Sequence, residues 1–417
     1  MAHTAQRTAA GSGSPAAPAL DRLLGTVPAL TERLAAGAAA REAEREAERE
    51  LPYARAQSVR ESGLGALRVP PGHGGPGSDL RTLFRVLIDI AAADSNLAQA
   101  LRPHFGYVER LISRASEEER RRWFAEVVSG ALFGNATGET DTKHPGEIRT
   151  LLSRSADGGG YRLNGTKFYS TGSLFADYVV VAAVDEQERR VRVLLPRGRE
   201  GMRLLDDWDG MGQRTTASGT TLLDDVPVRA DEVTREPTQQ ERRTHIGAFH
   251  QLYLAAVQVG IARDALRDAV AYARHTARAV RHSGVGHAVD DPLVQHAVGE
   301  ISALAFGAEA TVLRAAESID QAIATVAEDE VAGTEEQLGS ASIDVARAQV
   351  IASQAALRAA ERLYDVGGAS ATRRRHNFDR HWRNARTLAS HNPVPHKARV
   401  VGDHLLNGAG PPSTGFF

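Results

Sequence analysis

The stretch RNARTLASHNPVPHKA, from Arg383 to Ala398, sets His391 and His396 around Asn392 and two prolines in an otherwise helical region. An imidazole placed there could act as acid, base, metal ligand or packing, and the prolines stiffen the turn that carries it. Two further stretches gather polar groups. FGNATGET (Phe133 to Thr140) and KFYSTGSLFADY (Lys167 to Tyr178) place glycine, Asn and small hydroxyl residues at strand ends. Segments of this kind bring backbone N–H groups and hydroxyls close to a flat polar ring. Other features carry less chemistry. His282, His287 and His296 are loosely spaced and lack a carboxylate pattern, so no metal site is expected. GVGHAV holds two of the three glycines of a dinucleotide fingerprint but follows no strand, and it reads as a loop. The basic and aromatic run RRRHNFDRHWRNAR (Arg373 to Arg386) reads as a subunit interface or an anionic cofactor or substrate site rather than a nucleic-acid contact, because the chain carries a formal net charge of −2.

The elements that must position these groups follow an α, β, α order. Residues 1–20 are rich in Ala, Gly, Ser and Pro and are expected to be a disordered tail. REAEREAERE (Arg41 to Glu50) interleaves opposite charges at helical spacing, as a solvated helix face does. Apolar helical periodicity around a Gly/Pro-rich loop at 70–78 makes 21–128 an α domain. Alternating patterns in DYVVVAAV, RRVRVLLP and GTTLLDDVPV make 129–235 a β domain, with a hairpin turn predicted at Asn164–Gly165. From Ile246 onward long Ala-rich helices suggest a bundle, so 236–417 reads as a C-terminal helical domain. The fold class is α+β.

Composition narrows the chemistry. The 417 residues include no cysteine, which excludes disulfides, thiolate catalysis and Cys-ligated metals. Only three methionines occur, Met1, Met202 and Met211, a sparing use of oxidisable sulfur. Walker A, GxSxG and HExxH motifs are absent, and no βαβ series builds a nicotinamide-binding domain. Reducing equivalents for any redox chemistry would arrive from elsewhere. No apolar run is long enough to span a bilayer, and the N-terminus lacks a signal-peptide core, which points to the cytoplasm.

Taken together, SGLGALRVPPGHGGPG, GYRLNGTKFYSTG, Ala176–Asp177 and DDVPV (Asp224 to Val228) resemble the acyl-CoA dehydrogenase superfamily over roughly 50–410. DDWDGMGQRTTASGTTLLDDVPV and RHWRNARTLASHNPVPHK resemble its flavin-dependent monooxygenase branch, that of dibenzothiophene monooxygenase and the sulfur-acquisition oxidoreductases. The resemblance implies an N-terminal helical domain, a central β domain and a C-terminal four-helix bundle that builds a homotetramer. It implies a flavin between the β domain and the bundle, with a neighbouring subunit contributing. The cofactor would be reduced FMN from a separate NAD(P)H:flavin reductase, with FAD as the alternative, and reaction with O2 would pass through a C4a-hydroperoxide. Carried over by position, Asn135, Ala136, Thr137, Tyr169, Ser170 and Thr171 would border the isoalloxazine. Arg278 would bind the flavin phosphate, although the related enzymes follow that arginine with Pro-Trp and this chain has Ala279–Val280. His391, His104 and Thr171 take the catalytic positions, the histidines as donors that manage a proton near neutral pH, and Tyr107 a substrate position. Leu388 to Asn392 supply no carboxylate where many of the dehydrogenases keep their base. The alternatives are FAD-dependent acyl-CoA dehydrogenation, N- or C-hydroxylation of a natural product, and a flavin-free scaffold.

Overall fold

The computed structural model describes residues 16–36, 50–140, 142–144, 146–156, 158–235, 243–327, 331–413 and 417. The chain begins with α1 (Ala16–Leu24) and α2 (Val27–Ala35), so the last residues of the expected tail are helical. The charged run Arg41 to Glu50 lies outside the described residues except for Glu50. Then come α3 (Tyr53–Ser62), α4 (Leu80–Ala93), α5 (Ser95–Ala100), α6 (Arg102–Arg114) and α7 (Glu117–Val128). Side chains set several boundaries. Asp79 caps α4 by accepting the Thr82 N–H (2.7 Å), and Asp94 caps α5 through the Leu97 N–H (3.0 Å) while pairing with Arg55. Ser116 and Glu119 form a capping box on α7.

The middle of the chain is an eight-stranded mixed sheet. Its strands are β1 (Phe133–Ala136), β2 (Leu151–Arg154), β3 (Tyr161–Lys167), β4 (Tyr178–Asp185), β5 (Arg190–Pro196), β6 (Met202–Leu204), β7 (Thr221–Val228) and β8 (Val233–Arg235). The order is β6-β7-β3-β2-β4-β5-β8, with β1 parallel to β4. Asn164–Gly165 makes no hairpin. The two residues sit inside β3 as a bulge against β7, where Thr150 packs on Gly165 so closely that a Cβ would overlap it. The Asn-Gly pair answers a close backbone approach instead of a turn.

Three long helices follow, α8 (Ile246–His275), α9 (Pro292–Ala327) and α10 (Val331–Arg362). The shorter α11 (Asp379–His391) and α12 (Val394–Asn407), joined at Asn392–Pro393, take the fourth place in the bundle. One core runs through α4 and the bundle; it includes Phe84, Leu87, Phe249, Tyr253, Ile319 and Leu388. At the crossing of α4 and α8, Gly260 lets Ala91 and Ala92 approach where a methyl would collide. A second core joins α6, α7 and β1 around Phe133, Trp123 and Tyr107, and a third fills the sheet. Asp177 ties the first domain to the sheet, pairing with Arg60 of α3 and accepting the Leu132 N–H (2.8 Å). Among the described residues no helix is long and apolar enough to cross a membrane.

Candidate active site

Two loops of the β domain zip together. The N–H of Ser170 donates to the Gly219 carbonyl and that of Gly172 to the Thr216 carbonyl, each at 3.0 Å. Between them lies a chain of hydroxyls: Thr171 Oγ1 to Ser218 Oγ at 2.8 Å, and Ser218 Oγ to Thr216 Oγ1 at 2.7 Å. Tyr169, Gln213 and Ala217 hold left-handed φ of 57°, 53° and 52°. Non-glycine residues in this region are strained and cluster at functional sites. Ser170 and Thr171 are buried, whereas Tyr169 is exposed and meets Trp208 edge-on at 5.9 Å.

Helices close on these loops from the other side. Gln213 N–H donates to Asn384 Oδ1 of α11 (2.6 Å), and Thr215 N–H donates to Asn96 Oδ1 of α5 (3.1 Å). Gly172 packs on the Ala100 carbonyl, and Gly212 on α11 at Arg383 and Thr387. From this seam α5 leads directly into α6, and α11 runs on to His391. The two paths meet again where Arg102 Nη2 donates to His391 Nε2 at 3.1 Å. The expected ring-bordering residues therefore share one region with His391. Asn135 and Ala136 lie in β1 beside this loop, with Ser173 Oγ donating to the Asn135 carbonyl (2.8 Å). Thr137 follows at an exposed position, and its carbonyl accepts from the buried Lys167 Nζ (3.5 Å).

The histidines are held neutral. An arginine is always a donor, so His391 Nε2 is an acceptor and the proton sits on Nδ1. That side bonds the Asn392 side chain, whose Nδ2 in turn donates to Gln251 Oε1 at 2.7 Å. Although the ring touches solvent, chain crowds it on most sides; desolvation and the Arg102 charge lower its pKa to about 3. His104 is fully buried, with Nε2–H on the Gly65 carbonyl (2.9 Å) and Nδ1 unpaired; burial lowers its pKa to about 4. Both rings have pKa values lowered away from neutral pH, by the surrounding chain and by a neighbouring arginine, Arg102 for His391 and Arg60 for His104.

Tyr107 shares with His104 a contact to Phe133, stacking on it at 4.5 Å inside the aromatic cluster of Trp123 and Tyr178. A cavity of about 20 Å³ lies beside it, room for about one water. Arg278 stands apart. It is exposed in the segment after α8 and makes no hydrogen bond or ion pair among the described residues. At ~1.5 Å per helical residue it lies roughly 40 Å along the helix from His250. An open cleft of about 540 Å³ around Arg60, Glu61, Glu126 and Asp177 contains none of these residues.

Several participants carry no motif. His250 of α8 packs on α6 where Gly106 leaves room; a methyl at Gly106 would overlap its ring. Burial, with the charges of Arg102 and Arg192, lowers its pKa to about 3. Glu109, next to it, is taken by Arg68 (2.6 Å) and His245 (2.9 Å). Desolvation would raise that carboxyl, but the Arg68 charge and both hydrogen bonds outweigh it and hold the pKa at about 2. The Arg373 to Arg386 run is divided: Arg373, Arg374, Arg375 and Arg386 are exposed, whereas Arg380, His381 and Asn384 are buried. Arg380 and His381 pair with Asp268 of α8 at 2.6 and 2.9 Å, and Asn384 faces the loops. Asp264, Asp268 and His381 have ligand atoms within 4.8 Å of one another, but Arg380 pairs with both carboxylates and Arg267 with Asp264.

The seam suits a flavin on its own chemistry. Asn135 Oδ1, Gln213 Oε1 and Asn96 Nδ2 are buried without a partner, next to strained loops and an exposed aromatic rim. Buried polar atoms left unpaired in a native fold call for a ligand or water. Comparison with known proteins supplies the lineage. The N-terminal, middle and C-terminal domain models of acyl-CoA dehydrogenase match 27–131, 136–226 and 252–395. Dibenzothiophene monooxygenase of Rhodococcus erythropolis is 33% identical over 86% of this chain and 88% of its own. The probable FMNH2-dependent monooxygenase SfnC of Pseudomonas putida is 31% identical over 85% and 88%. The crystal structure of FMN-bound TdsC from Paenibacillus sp. A11-2 superposes with a TM-score of 0.85 at 30% identity, covering 95% of this chain and 100% of that one. The chain belongs to the acyl-CoA dehydrogenase family, and within it to the flavin-dependent monooxygenases.

Proposed function

We propose that the protein is the oxygenase of a two-component system: a separate reductase delivers reduced FMN, and one atom of O2 enters a small organosulfur substrate. When bound, reduced FMN supplies the electrons and, with O2, the C4a-hydroperoxide that does the oxygenation. Its support is the zipped loop pair at 169–173 and 213–218, strained, hydroxyl-lined and flanked by unpaired buried polar atoms.

The residues divide the work. Asn135, Ala136, Thr137, Tyr169 and Ser170 border the ring, and Thr171 presents its hydroxyl from a chain that continues to Ser218 and Thr216. His391 keeps one tautomer, its proton on Nδ1. His104 offers Nδ1 as an acceptor, because Nε2–H is committed to Gly65. Tyr107 and Phe133 wall the substrate side. Arg278 reaches the flavin phosphate of a second copy rather than its own, in a homotetramer that also covers the exposed Leu293, Phe306, Leu405 and Leu406. Dehydrogenation of a thioester fits less well: Leu388 to Asn392 hold no carboxylate, and Glu109 is locked between Arg68 and His245.

The test supplies reduced FMN from a flavin reductase under ¹⁸O2, with sulfides, sulfoxides and sulfinates as probes. One ¹⁸O should appear in the product, and FMN should bind more tightly in its reduced form. Oxidation of an acyl-CoA with no label incorporated would overturn the reading.

A further inference from the structure

Arg102 is a half-buried cation that lacks a counter-ion among the described residues. It is the first residue of α6, and the only partner recorded for its guanidinium among the described residues is the neutral ring of His391. Its Nε is buried and unpaired. Burial lowers its pKa to about 10, and no carboxylate among the described residues offsets it. Three other arginines withdrawn from solvent are neutralised: Arg55 by Asp94 at 2.8 Å, Arg68 by Glu109 at 2.6 Å, Arg380 by Asp268 at 2.6 Å. Glu109, on the same helix, is doubly committed to Arg68 and His245. His250 and His391, both neutral, add no charge of their own. Proteins pair a guanidinium withdrawn from water with an anion. No carboxylate of the described residues supplies that anion, and the cation stands on the path that joins the flavin loops to His391.

We propose that the substrate carries a small oxyanion headgroup, a sulfinate, sulfonate or carboxylate, that docks on Arg102 and directs its organic remainder toward the Thr171 loop. The planar fork of a guanidinium matches two oxygens on one centre. Four of its five N–H groups remain once His391 has taken one. Arg102 would therefore select for charge, while the apolar walls select for size. That the bound anion is a substrate rests on the monooxygenase reading; that an anion binds Arg102 does not.

Isothermal titration of the FMN-loaded protein with size-matched pairs tests this. The pairs are methanesulfinate against dimethyl sulfoxide, and benzenesulfinate against methyl phenyl sulfoxide, with benzenesulfonate and benzoate as further anions. At least one anion should bind tenfold or more tightly than its neutral partner, with affinity falling as salt rises. Arg102→Met should erase that preference while FMN affinity stays within twofold; Arg102→Lys should keep part of it. Equal binding of anions and neutral partners, or a preference that survives Arg102→Met, overturns the proposal. Should Arg102→Met fail to fold by circular dichroism, Arg102→Gln and the wild-type pairs decide. Anion preference without oxygenation would sink the monooxygenase reading and leave the anion site standing. Oxygenation of neutral sulfides without anion preference would do the reverse.

Discussion

At the scale of single residues, the site depends on which nitrogen carries which proton. His391 accepts from Arg102 and donates toward Asn392, so its role is tied to one tautomer. His391→Ala removes the ring that holds Arg102 and should cut coupled turnover by about 10²-fold, as a small misplacement of an active-site group does. The fraction of O2 released as H2O2 should rise in the same assay, and unchanged coupling would remove His391 from the mechanism. Gly106 is tested through packing. A methyl there overlaps His250, and Gly106→Ala should cost ~1–3 kcal/mol by urea unfolding, as overpacking does. His391, His104 and Thr171 could be picked out from the sequence because they sit in stretches with a recognisable order of residue types. Arg102 and His250 could not. Neither stands in a recognisable motif, and only the contact between α6, α8 and α11 gives it a role.

Elements carry the next level of specification. Strand and bundle periodicities read correctly because each buries one continuous surface. The Asn164–Gly165 hairpin misread had a physical cause: the dipeptide is a local turn signal, but pairing of β3 with β7 along its whole length converts it to a bulge. The seam between loop 213–218 and α11 was equally illegible, since it forms across 171 residues from Gln213 to Asn384. Asn384→Ala should leave the Gln213 N–H buried without its acceptor, a loss of about 1–3 kcal/mol. The loop would loosen before the bundle does, so the dissociation constant for reduced FMN should rise at least fivefold while the melting temperature moves little. A fall in melting temperature with unchanged FMN affinity would show the contact to be purely structural.

Across the whole molecule, the buried neutral histidines tie stability to acidity. His104 has a folded pKa of about 4, below the 6.5 usual for a histidine. Above pH 6.5 both folded and unfolded chains leave it neutral, and it adds no pH dependence. As pH falls below 6.5 the unfolded chain takes up a proton that the folded chain refuses. Stability should then drop by ~1.4 kcal/mol per pH unit for this histidine until about pH 4, where the loss levels off. Denaturant melts of wild type and His104→Gln between pH 7.5 and 4.5 measure it, and parallel curves would exclude the assignment. The polar line that ends at His391 reaches deep into the bundle. Arg102 donates to His391, His391 to Asn392, Asn392 to Gln251, and Gln349 of α10 also donates to Gln251 at 3.5 Å. Donors reach Gln251 Oε1 from both sides, so turning that one amide around would break its contacts to Asn392 and Gln349 together. For anyone reshaping this enzyme toward new substrates, the useful mutations therefore extend beyond the loops that touch the substrate. Gln251 and Gln349, inside the helical bundle, set the orientation of the ring at its mouth, and a library confined to the visible cleft would miss them.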